Sequence, residues 1–242
     1  MKKIYIIFLA FTLTTCKKEH MLDCFKSAGS TITENRTATP FINIELKDNV
    51  DLIINPNSTP YIKVTAGENL IDGIITELSG NTLYVRNENK CSWMRSFKNT
   101  FTVEVGVDKP AKIFYEGSGD INCKDTIRTD EFIFNSFNGS GSINFLFNCK
   151  KTHLKNHIGR CDINAKGITG ENIVYVNDTG VMDVSNLETS YTYIRSSTTG
   201  DCRIRVNNEI GYEILYTGNI YFTGNATIVS ELVEGKGKLI HY

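Results

Sequence analysis

The sequence GSGSINFLFNCKKTHLKNHIGRCDIN, residues 139–164, begins and ends with one short pattern: a glycine corner, then a polar residue, an isoleucine and an asparagine. Ile143 and Ile163 are therefore twenty residues apart, and two columns of apolar residues continue this spacing along the second half of the chain. The first column is Phe114, Phe134, Leu154, Val174, Ile194 and Ile214, and the second is Ile121, Ile143, Ile163, Val184, Ile204 and Ile220. A period near twenty is typical of a solenoid, in which each coil buries its apolar face only against the next coil.

Each later coil is predicted to hold two strands joined by glycine-rich turns such as Gly117-Ser118-Gly119. Alternation along a strand places the Phe114 column inside and its sequence neighbours outside. Strands that occupy the same position in successive repeats run in the same direction and stack in parallel. We therefore expect an all-β fold, a single-stranded parallel β-helix with coils of about 20 residues, which follows an N-terminal β-rich segment. Residues 235–238, Gly-Lys-Gly-Lys, are expected to cap the last coil.

Composition narrows the class of protein. The 242 residues carry a formal net charge of −1 and are 40 % hydrophobic and 22 % charged, which is typical of a folded soluble domain. A nucleic-acid-binding protein would normally show a basic patch, and no apolar run reaches the roughly eighteen residues that span a bilayer. We therefore expect neither a nucleic-acid partner nor a transmembrane helix.

The amino terminus resembles a bacterial lipoprotein signal. Two lysines precede a short apolar segment, residues 4–13, and Leu-Thr-Thr-Cys follows at residues 13–16. The resemblance to a lipobox implies that Cys16 is lipidated and anchors the mature protein to a membrane. Thr15 stands where a smaller residue is usual, so ordinary signal cleavage is the alternative. The Lys-Lys-Glu after Cys16 is similar to the export tag of surface lipoproteins in the Bacteroidetes.

The chain divides into four predicted segments. Residues 1–16 are the lipoprotein signal peptide, and residues 17–38, which are polar and lack periodicity, are a flexible tether. Strand patterns from Phe41 onward indicate a β-rich part over residues 39–110. The β-helix repeats occupy residues 111–242, and the two β parts together are expected to form one continuous domain.

Six cysteines remain after Cys16, and an exported protein can oxidise them. We expect Cys123, Cys161 and Cys202 to be small buried hydrophobes. Cys24 with Cys91 is the one disulfide pair worth testing. The disulfide state stays open for all six: Cys24, Cys91, Cys123, Cys149, Cys161 and Cys202.

Two six-residue motifs, Gly-Ser-Gly-Asp-Ile-Asn at 117–122 and Gly-Ser-Gly-Ser-Ile-Asn at 139–144, resemble those of the head GIN domain family of auto-transporter adhesins. Upstream segments occur in that family's order, among them Phe-Ile-Asn-Ile at 41–44 and Gly-Asn-Thr-Leu-Tyr-Val at 80–85. The resemblance covers about residues 40–240. It implies an exported, often lipid-anchored β-helical protein of the Bacteroidetes, and it brings no catalytic residues.

Two sets of polar side chains were candidates for chemistry. Aspartates recur at the coil corners: Asp120, Asp162, Asp183 and, close in register, Asp201. Paired carboxylates can cleave a polysaccharide, but aspartate beside glycine is also what a turn favours. His153 and His157 are four residues apart on a predicted strand and have no third ligand. We expect structural aspartates, two exposed histidines, no metal site and no cofactor.

The outward face of the repeats is rich in aromatic and basic side chains. Tyrosine and arginine on a rigid sheet can bind a glycan or a protein, although aromatic residues also favour strands for packing reasons alone. The candidate ligand-binding residues are Tyr115, Lys155, Tyr175, Tyr193, Arg195 and, in a long loop, Trp93.

These features together predict an exported, lipid-anchored and non-enzymatic protein of the cell envelope, an outer-membrane lipoprotein facing the periplasm or the surface. Its β-helix would present an adhesive or ligand-binding surface to a glycan or an envelope protein. Two alternatives stay open. One is an envelope polysaccharide lyase or hydrolase that uses the corner aspartates, and the other is a passive scaffold that contacts partners through an open end of the solenoid.

Overall fold

The computed structural model describes residues 27–89 and 100–242, which form strands, turns and one short 3-10 helix, Ile71–Gly73. No helix in these two ranges has the length and apolarity to cross a bilayer. The predicted all-β class is confirmed. The strands are β1 Thr31–Arg36, β2 Asn43–Asp48, β3 Asp51–Pro56, β4 Tyr61–Gly67, β5 Ile74–Ser79, β6 Thr82–Asn87, β7 Thr102–Val107, β8 Lys112–Gly117, β9 Ile121–Cys123, β10 Glu131–Gly139, β11 Ser142–Gly159, β12 Asp162–Asp178, β13 Met182–Thr198, β14 Cys202–Ile214, β15 Ile220–Thr223, β16 Thr227–Val233 and β17 Leu239–His241.

Successive coils stack in parallel. β11, β12 and β13 each wind through most of one coil, and each pairs with the next in parallel. Leu154 lies beside Val174, which lies beside Ile194, and all three are fully buried. Side chains twenty residues apart are thus neighbours in one interior, and the predicted parallel β-helix is confirmed.

Each coil has two walls whose inward side chains meet in the core. Residues 143 to 149 point inward at odd positions and residues 152 to 156 at even positions, so the chain turns a corner between these two stretches. The wall that includes the second stretch is called the tyrosine wall below. It consists of β8, β10 and β16 together with residues 151–157, 171–177, 191–197 and 209–214.

Four phenylalanines join the two walls at the first repeat coils. Phe132 and Phe134 extend from the tyrosine wall, and Phe145 and Phe147 extend from the opposite wall. The Phe145 ring centroid lies 5.2 Å from that of Phe132 and 5.3 Å from that of Phe134. Edge-to-face pairs at this separation add to the stabilisation that burial provides.

The first repeat coil has a different phase from the predicted one. Ile113, and not Phe114, pairs with Phe134 and faces the interior, while Phe114 lies beside Asn135 and is half-exposed. Tyr115 also faces the interior and is fully buried. Three apolar residues in a row permit either phase of alternation, so the pattern alone could not choose between them.

A change in turn length and irregular strand pairing displace the two predicted columns in the later coils. Ile163 pairs with Met182, and Ile194 pairs with Tyr212. The Ile163–Met182 offset precedes the register shift at Asn164/Lys166, so it arises at the turn before β13. In β13–β14 the register shifts lie before Ile194 and move its partner to Tyr212. Three residues predicted for the columns are buried but lie two positions along the strand from the residue that pairs in the column. They are Val184, Ile204 and Ile214.

The predicted buried cysteines are confirmed at two of three positions. Cys161 and Cys202 are buried, whereas Cys123 is half-buried. Burial raises the pKa of each of these thiols to about 12, so all three stay protonated and unreactive at neutral pH. Cys24 and Cys91 lie outside the described residues.

Part of the predicted tether is a strand. β1, residues 31–36, pairs antiparallel with β4. The Arg36 guanidinium donates hydrogen bonds to the carbonyl groups of Ile71, at 3.0 Å, and of Ile74. The tether prediction is wrong over these six residues, because a polar Thr-Ile-Thr alternation can pair at a sheet edge. Residues 17–26 lie outside the described residues.

The β-rich N-terminal part is built into the same solenoid. β2 pairs in parallel with β6 on one side and with β8 on the other. β3 pairs in the same way with β7 and β9. The coil of β2 and β3 is therefore inserted between the coil of β6 and β7 and the first repeat coil.

The two ends of the solenoid differ. At the amino end, Leu70, Ile71 and Ile74 are buried beside β4 and β5 and close the interior. At the carboxyl end, every residue of β16 is exposed. The Gly-Lys-Gly-Lys segment at 235–238 leads from β16 to β17 as a corner of the last coil and does not cover it. The predicted cap is therefore wrong.

Candidate functional site

The outward side chains of the tyrosine wall form two adjacent columns. In-register pairing aligns them over three coils. They are His153, Ile173 and Tyr193 in one column, and Lys155, Tyr175 and Arg195 in the other. Four of the six residues predicted for ligand binding are thus brought together on one face.

A basic and aromatic row crosses these coils. The Lys155 ammonium nitrogen lies 5.1 Å from the centroid of the Tyr175 ring, close enough for a cation–π contact. The Tyr175 and Tyr193 rings are 6.3 Å apart with an interplanar angle of 55°. All three side chains are half-buried, so their neighbours hold them in place while one side stays open to solvent.

Glu213 organises the far end of the row. The Tyr193 hydroxyl donates a hydrogen bond to Glu213 Oε1, and Arg195 Nε lies 3.1 Å from Glu213 Oε2. Burial, and then the bond to Glu213, raises the pKa of Tyr193 to about 12, so its hydroxyl stays protonated at neutral pH. The sequence pattern missed Glu213, because the irregular pairing of β14 places it beside Arg195, eighteen residues away instead of twenty.

A second aromatic stack borders the row. Phe114 stacks on Phe137 with centroids 5.2 Å apart, and Phe137 stacks on His157 at 4.3 Å. Burial, and to a lesser degree the Lys155 charge, lowers the pKa of His157, so its ring is neutral at physiological pH. The phase difference that places Tyr115 inside the coil thus adds Phe114 to the outer face.

The two histidines have separate partners. His153 Nε2 lies 2.9 Å from Glu131 Oε1, and His157 Nε2 lies 3.0 Å from Asn135 Oδ1. No group of three histidine, cysteine or carboxylate side chains that could hold a metal ion occurs within residues 27–89 and 100–242. These histidines are parts of the wall's polar surface.

A basic depression lies where the tyrosine wall begins. It has a volume of about 480 Å³, and three of its lining residues are Lys109, Arg128 and Lys150. Lys150 Nζ is 2.9 Å from Asp130 Oδ1 and lowers the pKa of that carboxyl group. The lining of the depression thus carries three cationic side chains and one carboxylate, a charge balance that favours binding of an anionic group. The repeat pattern did not reveal this site, because Lys109 precedes the repeats and Arg128 lies in the connection between β9 and β10.

Tyr115 is not part of this surface. Tyr115 is buried inside the coil, which makes its predicted role in ligand binding wrong. Its hydroxyl donates to the Gly119 carbonyl at 2.7 Å and accepts from the Gly141 amide at 3.1 Å, so it joins the corners of two coils. Trp93 lies outside the described residues.

Replacing Tyr115 with phenylalanine should destabilise the protein by about 1–3 kcal/mol, because the buried Gly141 amide loses its acceptor. Urea denaturation followed by circular dichroism would measure this cost. Tyr216→Phe is the matched control, since Tyr216 is exposed and the change should leave stability within about 0.5 kcal/mol. Equal costs would contradict the buried position of Tyr115.

The corner aspartates bond to the backbone. Asp120 accepts the Ser142 amide hydrogen at 2.8 Å, and Asp162 accepts that of Val181 at 3.3 Å. The other two do the same: Asp183 with the amide of Ser185 and Asp201 with that of Asn219. For Asp120, Asp162 and Asp201 this arrangement fits the turn-forming interpretation, because each carboxylate satisfies a backbone donor at a corner. Asp183 instead lies within β13, beside Asn164, and its bond to Ser185 stays within that strand.

Comparison with known proteins identifies a family. The model described as "Putative auto-transporter adhesin, head GIN domain" matches residues 40–226 of this chain. No curated protein matches it.

Several solved structures share the fold. A putative adhesin from Bacteroides fragilis has a TM-score of 0.79 at 19 % identity, covering 88 % of this chain and 97 % of that one. A putative adhesin from Parabacteroides merdae has a TM-score of 0.67 at 18 % identity, covering 89 % and 98 %. A putative lipid binding protein from Parabacteroides distasonis has a TM-score of 0.67 at 17 % identity, covering 88 % and 97 %. At these identities the likeness concerns the fold.

Proposed function

Because this chain belongs to the head GIN domain family of putative auto-transporter adhesins, we propose that it is an exported cell-envelope adhesin whose tyrosine wall binds a glycan. The family supports an adhesin-like role, and the solenoid supplies a rigid frame for a binding face. The ligand class and the position of its site are inferred from the side chains of the wall.

The row of Lys155, Tyr175 and Tyr193 carries this proposal. An aromatic ring on a flat sheet offers an apolar surface to the C–H face of a sugar, and its polar neighbours can hydrogen-bond the hydroxyl groups at the sugar's edge. Here two rings stand 6.3 Å apart, with Lys155 on one side. Arg195 and Glu213 add donors and acceptors on the other side.

The basic depression favours an acidic glycan. Arg128 and Lys150 lie at the edge of the tyrosine wall, one to three residues before Glu131 and Lys151 on their strands. A long glycan could therefore stack on the rings and place a carboxylate or sulfate near these cations. Such binding should weaken as salt rises, because exposed charges are screened.

A glycan array with the soluble form that begins after Cys16 tests the proposal. We expect signals on acidic glycans, and we expect the Tyr175→Ala/Tyr193→Ala double variant to bind at least about tenfold more weakly, since central aromatic anchors dominate such interfaces. Ile168→Ala is the control, because Ile168 is exposed outside the tyrosine wall. Absence of glycan signals, together with a protein captured from envelope extracts through the same tyrosines, would make the ligand a protein.

The proposal includes a lipid anchor at Cys16. Its support is the resemblance of residues 13–16 to a lipobox and the family's frequent lipid anchoring. Mass spectrometry of the mature amino terminus should find acyl chains on Cys16, and Cys16→Ser should release the protein from the membrane fraction. An unmodified amino terminus elsewhere would remove the anchor and leave export by ordinary signal cleavage.

We propose further that the protein is not an enzyme. The backbone bonds of the corner aspartates support this, because they give each carboxylate a structural role. The lyase or hydrolase alternative predicts cleavage in a broad polysaccharide screen and its loss in Asp162→Asn. Absence of cleavage by the unmodified chain would count against it.

A further inference from the structure

A tyrosine on the opposite wall repeats the contacts of Tyr193. The opposite wall is the one that includes residues 143–149, and the pairs β11–β9, β9–β3, β3–β7 and β7–β4 extend it to the amino end. Tyr61 lies on β4 and is half-buried, and its side chain points outward, because Ile62 beside it is buried in the core. Since the inward side chains of the two walls meet, Tyr61 faces away from the tyrosine wall.

The Tyr61 side chain lies across the sheet, over a glycine. Tyr61 pairs directly with Gly106 of β7, and a Cβ atom on Gly106 would lie 2.6 Å from Tyr61 Cε1. The Tyr61 hydroxyl extends as far as the next strand, β3, where Asn55 Nδ2 donates a hydrogen bond to it at 3.1 Å. The lack of a side chain at Gly106 therefore gives the ring its place on the sheet, and part of the ring stays open to solvent.

Tyr193 has the same relation to its neighbouring strand. It pairs directly with Gly211, and a Cβ atom there would lie 3.1 Å from Tyr193 Cδ2. The Tyr61 hydroxyl donates to Glu104 Oε1 at 2.7 Å, as the Tyr193 hydroxyl donates to Glu213. In both places the glutamate stands two residues from the glycine on the strand that pairs with the tyrosine.

Cationic side chains complete the cluster around Tyr61. Lys124 Nζ lies 2.8 Å from Glu104 Oε1, just as Arg195 pairs with its glutamate on the tyrosine wall. The bond from Lys124 lowers the pKa of Glu104, which is therefore ionised at neutral pH. The Lys63 ammonium nitrogen lies 5.3 Å from the centroid of the Tyr61 ring. Two cations and one carboxylate thus surround the ring, a charge balance that favours an acidic sugar.

We propose that the opposite wall holds a second saccharide site, in which a sugar of an acidic glycan stacks on the Tyr61 ring. Lys63 is exposed, so its ammonium group can leave the ring for the carboxylate or sulfate of that sugar. Glu104 and Asn55 supply an acceptor and a donor for hydroxyl groups at the sugar's edge. The ligand class rests on the proposed function, because the cluster repeats the contacts of the tyrosine wall.

Two sites that face opposite ways would make one molecule a cross-linker. A single binding face holds the protein on one glycan strand, whereas faces on both walls can bridge two strands or two coated surfaces. Each further attachment then forms at a high effective concentration, so avidity exceeds the affinity of either site.

Isothermal titration calorimetry of the full chain in a mild detergent tests the second site. The probes are hexasaccharides of galacturonic acid and of sulfated galactose, and we expect two sites per chain for at least one of them. Tyr61→Ala should weaken one site at least about tenfold, and Tyr175→Ala/Tyr193→Ala should do the same to the other. Tyr216→Ala is the matched control, because it removes an exposed tyrosine from the turn after β14 and should leave both sites.

A charge reversal tests the same site without removing the ring. In the Tyr175→Ala/Tyr193→Ala background, Lys63→Glu should weaken the remaining site about three- to tenfold at low salt, and added salt should reduce the difference. Lys166→Glu is the control, because it reverses the same charge on an exposed lysine farther along the opposite wall and should leave the affinity unchanged. Circular dichroism should show an intact β fold in each variant.

The outcomes separate this site from the one on the tyrosine wall. One site per chain that Tyr61→Ala leaves intact, and that Tyr175→Ala/Tyr193→Ala removes, would overturn the second site and keep the proposed function. One site that responds only to Tyr61→Ala would support the second site and remove the binding role of the tyrosine wall. Binding of neither hexasaccharide would overturn both. A loss of stability in Tyr61→Ala without loss of a site would overturn the second site, because Tyr61 would then serve packing alone.

Discussion

Phe145→Ala is expected to destabilise the protein by about 3–5 kcal/mol, the range for removing a fully buried phenylalanine. Phe145 is 1 % exposed, and its ring lies 5.2 Å from Phe132, 5.3 Å from Phe134 and 5.3 Å from Phe147. Alanine would leave a cavity where the two walls meet, and the rigid coils on either side limit how far it can collapse. Urea denaturation followed by circular dichroism would measure the change.

Phe114→Ala is the matched control for that experiment. Phe114 is half-exposed and stacks on Phe137 at the surface, so the same truncation should cost only about 1 kcal/mol. The pair of variants also tests the phase of the first repeat coil, because alternation predicted Phe114 to be inside. A cost for Phe114→Ala equal to that for Phe145→Ala would contradict the observed phase.

Gly141→Ala is expected to cost about 3 kcal/mol or to prevent folding, as overpacking against the backbone does. A Cβ atom on Gly141 would overlap the carbonyl oxygen of Gly119 in the preceding coil and lie 2.6 Å from the Tyr115 hydroxyl. The backbone on one side cannot move without separating the coils. Thermal denaturation of the variant would show the loss.

Gly200→Ala is the control at an equivalent corner. There a Cβ would lie 3.4 Å from the Gly180 carbonyl oxygen and 3.5 Å from Thr198 Oγ1, which are ordinary contacts. Its stability should change by less than about 1 kcal/mol. Equal losses in both variants would contradict the close approach at Gly141. The second glycine of this Gly-Ser-Gly motif therefore serves coil stacking, whereas the corner at Gly200 has room for a side chain.

The twenty-residue period and the strand alternation predicted much of the structure. Parallel stacking follows from the period, because each coil brings the equivalent strand of the next repeat alongside it in the same direction. Once the stacking is parallel, alternation places Lys155, Tyr175, Tyr193 and Arg195 outward on one wall, as the structure shows. These residues lie in the most regular coils, where the same alternation of inward and outward side chains continues from one coil to the next.

Features that depend on small departures from the period escaped prediction. Whether Tyr115 faces the interior depends on which of three consecutive apolar residues packs against Phe134. The alternation pattern allows either Phe114 alone, or Ile113 and Tyr115 together, to point inward. Glu213 reaches Arg195 only because β14 pairs irregularly. The open carboxyl end was also missed, because Gly-Lys-Gly-Lys has the composition of a cap and the position of a corner. A short sequence pattern does not indicate whether another segment of the chain covers the last coil.

A cysteine pair on the tyrosine wall tests in-register stacking, on which the binding face depends. Tyr175 and Arg195 are direct partners, and adjacent strands are about 4.8 Å apart, within the reach of a disulfide. Tyr175→Cys/Arg195→Cys should form an intramolecular disulfide under mild oxidation, identified by mass spectrometry of the linked peptides. Tyr175→Cys/Ile194→Cys should not, because Ile194 points into the core. A link in the second variant and none in the first would contradict the stacked, in-register wall.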